Sequence, residues 1–170
     1  NMLLSLGVKK GDRVMLIMKR HYQFWFTIYA LHKIGAIAIP ATFLLMKHDI
    51  EYRVKAAGIS CVICTGDGEV ATHIDEAMPE CPTLKTRIMV NGEREGWLDF
   101  MTEMEKASDV LLRHDTKANE PMLLYFTSGT NGSPKMALHP HTLALGHLTT
   151  AKYWHNIDPE GIHMTISDTG

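Results

Sequence analysis

The chain has no long apolar run and no surplus of one charge, and each absence removes a class of protein. Its hydrophobic stretches are broken by a charge or a proline well short of the about 20 residues that a membrane-spanning helix needs. No stretch reads as an integral membrane segment. Lysine plus arginine number 17 against 19 for aspartate plus glutamate, a formal net charge of -2, so no broad electrostatic attraction to nucleic acid or an anionic membrane is expected. Any positive site has to be local. Cysteine is scarce: three cannot all pair, and the first residues lack the basic, apolar and small-residue layout of a secretory signal. A reducing compartment is the simpler reading. Cys61 and Cys64 form a C-x-x-C, but inside I-S-C-V-I-C-T they read as a buried strand rather than a redox turn. Cys81 has no His or Cys set around it, and His139-Pro140-His141 has no evident third ligand, so no structural metal is expected.

What the chain does have is an alternation of strand and helix patterns, with 45% hydrophobic residues to supply a core. Gly11-Asp12 marks a turn, and the apolar run from Arg13 to Met18 reads as a buried strand. His21 to Ile34 follows as a helix, with Phe24, Ile28, Leu31 and Ile34 near helical spacing and the aromatics Trp25 and Phe26 assigned to the core. Ala36 to Ile39 is a strand stopped by Pro40. Lys47 to Ala57 reads as a helix whose Asp49, Glu51, Arg53 and Lys55 form a wet side, with Gly58 as its stop. Strands over Cys61–Cys64 and Thr86–Val90 flank a short helix over Ala71–Met78, and a helix is expected from Trp97 to Ala107. A polar connector from Ser108 to Pro121 then crosses the surface. A long helix from His139 to Trp154, with Leu143, His147, Thr150 and Trp154 along one face, precedes a last strand over Ile162–Ile166. The expected fold is α/β: an open, mostly parallel sheet with helices on both faces.

One stretch does not fit a purely structural reading. In L-L-Y-F-T-S-G-T-N-G-S-P-K, Leu123 to Lys135, an apolar strand drops into small, hydroxylated and glycine residues and ends on a lysine. Gly129 and Gly132 can take positive φ and turn amides toward a ligand. Thr127, Ser128, Thr130 and Ser133 add hydroxyls, and Lys135 adds a point charge. A polyphosphate suits that donor set. The order Gly129-x-x-Gly132-x-x-Lys135 is neither the Walker A pattern nor G-x-G-x-x-G, which excludes the two commonest nucleotide loops. Because Met136 to Leu138 can continue as a strand, the loop is expected to join two strands. It then has no helix dipole to rely on.

The run Y-F-T-S-G-T-N-G-S-P-K followed by M-A-L-H closely resembles the phosphate-loop signature of the adenylate-forming superfamily. The tail I-S-D-T-G and the stretches G-D-R-V-M-L-I-M and L-H-K-I-G-A-I-A-I-P resemble the medium-chain acyl-CoA synthetases within it. The resemblance implies that residues 1–170 are part of the large N-terminal, AMP-binding domain of a longer enzyme without its C-terminal domain, as Asn1 in an apparent mid-helix and Gly170 directly after a motif also suggest. It implies ATP-dependent activation of a medium-chain carboxylic acid to an acyl-adenylate, then thioester formation with CoA. Mg²⁺ would be bound through the phosphates. The resemblance places Thr127, Ser128, Gly129, Thr130, Asn131, Gly132, Ser133, Pro134 and Lys135 on the ATP phosphates. It places His139, Asp168, Thr169 and Gly170 along the active site, and assigns no certain catalytic residue. ATP, a carboxylic acid and CoA are the expected partners, with the oligomeric state open and the compartment cytoplasmic, or the mitochondrial matrix in a eukaryote. The alternatives are a non-catalytic nucleotide-binding module, or the adenylation domain of another adenylate-forming enzyme such as a luciferase or a peptide synthetase.

Overall fold

Strand β1, Arg13–Ile17, is almost wholly buried, and a strand covered on both faces must satisfy its backbone on both edges. It does so by pairing in parallel with β2, Ile37–Pro40, on one side and with β3, Cys61–Cys64, on the other. The computed structural model describes residues 1–110, 114–128 and 132–164. Around β1 these form a seven-stranded sheet completed by β4, Thr86–Met89, β5, Leu98–Asp99, β6, Pro121–Thr127, and β7, Lys135–Pro140. The order is β5-β4-β3-β1-β2-β6-β7, parallel throughout except for the antiparallel β6–β7 pair.

The side-chain alternation of these strands sorts the core into two halves. On one face Met15, Ile17, Ile39, Val62 and Cys64 meet α3, Lys47–Ala57, and α4, Val70–Ala77, through Ile50, Val54, Val70 and Ile74. On the other, Val14, Leu16, Ala38, Cys61 and Ile63 meet α1, Met2–Ser5, α2, Gln23–Ile34, and α5, Phe100–Lys106. Helices therefore lie on both faces. Cys61 and Cys64 are three residues apart on a strand and so point to opposite sides of the sheet. All three cysteines are free, and burial pushes the Cys61 and Cys64 thiols up to about 12, which makes them packing groups.

Several expected boundaries move. The helix expected from Trp97 starts at Phe100, because Leu98 and Asp99 pair with Ile88 and Met89 as an edge strand. The Asp99 carboxylate then accepts the Thr102 amide at 2.8 Å and caps α5. The helix expected from His139 is shortened to α6, Leu143–Tyr153, because His139 and Pro140 pair in β7 with β6. No residue of α6 is fully buried and Trp154 is 82% exposed, while Leu143, at the start of the expected face, packs partly buried against the core. Ile162 to Met164 form no strand, and Thr165 and Ile166 lie outside the described residues.

Two aromatics assigned to the core are on the surface: Trp25 is 58% and Phe26 44% exposed. Helix α2 turns Phe24, Thr27, Leu31 and Ile34 to the sheet, and residues one and two positions after Phe24 rotate away from that stripe. Arg53, assigned to the wet side of α3, has a side chain only 12% exposed.

Helix α2 and the end of β7 meet through two histidines. The rings of His32 and His141 lie edge to face with centroids 5.8 Å apart, and the Nε2 atom of each is buried with no hydrogen-bond partner. Burial, then the neighbouring His141, pushes His32 down from 6.5 to about 4; burial also lowers His141. Protons therefore bind the unfolded chain first. The neutral pair's contribution to stability is full above about pH 6.5 and is lost as pH falls toward about 4. Replacing His32 with Phe should flatten the pH dependence of urea-denaturation stability across that interval; a slope equal to the parent's would contradict the assignment.

Candidate phosphate-binding hairpin

The loop singled out in the sequence is the connection of a β-hairpin. Strand β6 enters from the core, where Met122, Leu123 and Leu124 are buried, and joins the parallel sheet through the Ala38↔Leu123 pair with β2. It leaves the core at Tyr125, and Thr127 faces Lys135 across the antiparallel ladder. The Thr127 hydroxyl donates to the Lys135 carbonyl at 3.4 Å and closes the neck of the loop. As expected, a strand and not a helix follows Lys135.

Strand alternation gives the hairpin two unlike faces. Leu124 and Phe126 pack toward the α3 side. Leu123 belongs to the α2 side, and Tyr125, Thr127, Lys135 and His139 share that side by register. His139 meets the Tyr125 ring at 6.1 Å between centroids. Burial raises the Tyr125 phenol above its ordinary value.

The structure thus brings together Thr127, Lys135 and Pro134, and leaves Ser128, Gly132 and Ser133 exposed at the rim. Lys135 is also exposed, free to reach a ligand outside the hairpin. His139 is not brought to the loop: four residues farther along β7 it is separated by roughly 13 Å of strand. Gly129, Thr130 and Asn131, and likewise Asp168, Thr169 and Gly170, lie outside the described residues. Among the described residues no group of three or more His, Cys, Asp or Glu is placed to hold a metal ion. Anion binding here would draw on amides, hydroxyls and one ammonium.

Sequence reasoning missed two residues at this site, Tyr52 and Arg53 of α3. The Tyr52 hydroxyl donates to the Pro134 carbonyl at 2.7 Å, and its ring sits edge to face on Phe126 at 6.2 Å. The Arg53 guanidinium lies over the same Phe126 ring, 5.3 Å from its centroid, while donating to the Asp49 carbonyl at 3.1 Å. The available signal was weak: an aromatic beside the Ile50 and Val54 stripe of a helix, with nothing to name its partner 82 residues away.

Residues 1–168 match the family model described as AMP-binding enzyme. The chain belongs to this family. Among similar proteins is the mouse mitochondrial acyl-coenzyme A synthetase ACSM4, 37% identical over 166 residues, which are 96% of this chain and 28% of that protein. Human mitochondrial ACSM1 is 40% identical over 145 residues, 83% of this chain and 24% of that protein. The fold is similar to that of the anthranilate CoA ligase AuaEII, whose crystal structure holds anthranoyl-AMP. The TM-score is 0.80 and the identity 26%, over 91% of this chain and 29% of the ligase. The chain therefore spans under a third of the length of these relatives.

Gly132 has φ +98, a backbone state that side chains rarely adopt, while a Cβ built there meets nothing within 4 Å among the described residues. The backbone angle by itself calls for glycine here. Gly132→Ala should cost about 1 kcal/mol of stability in urea unfolding; no change would mean that the hairpin does not require this turn.

Proposed function

We propose that this chain is the phosphate-holding part of the N-terminal domain of an AMP-forming acyl-CoA synthetase of the medium-chain type. The observation that carries the reading is the hairpin in which Thr127 and Lys135 close a glycine and hydroxyl loop at the end of a buried strand. The curated relatives named as acyl-coenzyme A synthetases support it, and so does the ligase with its bound acyl-adenylate. The substrates would be ATP, a medium-chain carboxylic acid and CoA. The relatives are mitochondrial by name, which favours the matrix for this protein as well. Among the described residues no helix is long and apolar enough to cross a membrane.

In this chemistry the carboxylate oxygen attacks the α-phosphorus of ATP, the bond to the bridging oxygen breaks, and pyrophosphate leaves with the electron pair. CoA thiol then displaces AMP from the acyl-adenylate. The barrier is largely electrostatic, because charge accumulates on the departing pyrophosphate while water is excluded. The residues of this chain would act on that charge. Hydroxyls of Ser128, Thr130 and Ser133 and the loop amides would donate hydrogen bonds to phosphate oxygens, and the Thr127 hydroxyl, whose one proton goes to the Lys135 carbonyl in the free hairpin, would turn from it to join them. Lys135 contributes a compact cation that can approach from the exposed face of β7. Mg²⁺ enters with ATP as part of the substrate, held through phosphate oxygens. His139 would line the approach to the site rather than touch the phosphates, and Asp168, Thr169 and Gly170 would border the nucleotide and acyl groups.

In the enzyme that contains this chain, Lys135→Ala should slow pyrophosphate release in the adenylation half-reaction by roughly a hundredfold, the scale of one lost transition-state donor. An unchanged rate would remove Lys135 from the mechanism. The 170-residue chain alone should form no acyl-CoA from ATP, acid and CoA in a coupled assay, because it spans under a third of the length of the acyl-coenzyme A synthetases it resembles. Robust turnover by the isolated chain would contradict the assignment to a partial domain.

A further inference from the structure

Helix α3 touches both rims of the phosphate hairpin through one side chain. The Tyr52 ring rests edge to face on Phe126, the residue just before Thr127, with centroids 6.2 Å apart and planes at 68°. Its hydroxyl reaches across to donate to the Pro134 carbonyl at 2.7 Å, the residue just before Lys135. Tyr52 therefore spans the neck of the loop from strand β6 to strand β7. Arg53 secures the same side by placing its guanidinium 5.3 Å from the Phe126 centroid, itself held by the Asp49 carbonyl and carboxylate at 3.1 and 3.3 Å.

We infer that Tyr52 is a positioning residue for ATP, which sets the direction in which Lys135 leaves the hairpin. The Pro134 carbonyl belongs to the peptide plane that joins Pro134 to Lys135. Peptide planarity transmits the orientation of that oxygen directly to the Lys135 Cα. Pro134 fixes its own φ, so the hydrogen bond from Tyr52 restrains the main freedom left at this point, rotation of the plane about the Pro134 Cα–C bond. A flexible exposed lysine gains little from ordering unless its base is held, and this plane is its base. Tyr52 has no need to touch the nucleotide. It acts from the α3 face of the hairpin, whereas Lys135 projects from the α2 face.

The inference rests on the phosphate reading above, and the two can fail separately. Tyr52→Phe removes one oxygen and leaves the ring on Phe126, so the fold and the melting temperature should be nearly kept. In the enzyme that contains this chain, the adenylation half-reaction is measured against ATP and against acid for Tyr52→Phe, Lys135→Ala and the double variant. Tyr52→Phe should lower kcat/KM for ATP roughly fivefold, the scale of one neutral hydrogen bond, without moving KM for the acid. In the Lys135→Ala background the same change should have no further effect, since nothing remains to be aimed. If Lys135→Ala impairs ATP use and Tyr52→Phe does not, or if the two effects simply multiply, Tyr52 does not act through Lys135 and the inference is overturned while the phosphate reading stands. If neither variant alters ATP kinetics, both are overturned.

Discussion

The pairing of Thr127 with Lys135 is the constraint on which the site depends. An eight-residue separation between two rims is enough for a loop to wander unless its ends are fixed, and here they are rungs of one antiparallel ladder. Closing the neck costs loop entropy once, on folding, so that a ligand need not meet that cost on binding. The rest of the fold can be understood as the means of holding that neck still.

Strand β6 is the only route by which the core reaches the hairpin within the described sheet, and it is anchored beside β2 by the Ala38↔Leu123 pair. Strand β2 in turn lies against β1, the buried centre of the sheet. A displacement at the hairpin would therefore have to move a strand packed between helical layers. On the far side of the sheet a separate polar cluster holds α4 to the β4–β5 edge. The Asp75 carboxylate accepts from Arg94 Nε at 2.5 Å, from Trp97 Nε1 at 2.9 Å and from Arg87. Among the described residues that cluster shares no hydrogen bond with the hairpin, and its role is to fasten the edge of the fold.

What could be read from the sequence was whatever leaves a local trace. Lys47–Ala57 was legible to the residue because an amphipathic run ends on Gly58, which takes φ +61. Cys61–Cys64 was equally clear, since a four-residue apolar run between polar neighbours has few alternatives in an α/β chain. Leu98 and Asp99 were missed because a two-residue strand has no period to detect. Trp25 and Phe26 were misplaced because aromatic content does not reveal which side of a helix the sheet will occupy. The hairpin was legible because strand, glycine, hydroxyl and lysine follow one another in sequence. Its support was not, because Tyr52 and Pro134 meet only through the tertiary fold.

The central claim is that this hairpin holds the polyphosphate of ATP. The most direct measurement is a crystal structure of this protein with a non-hydrolysable ATP analogue and Mg²⁺. The account predicts Lys135 Nζ and the hydroxyls of Thr127 and Ser128 within about 3 Å of β- or γ-phosphate oxygens. Phosphates bound elsewhere, with the loop facing bulk solvent, would contradict it.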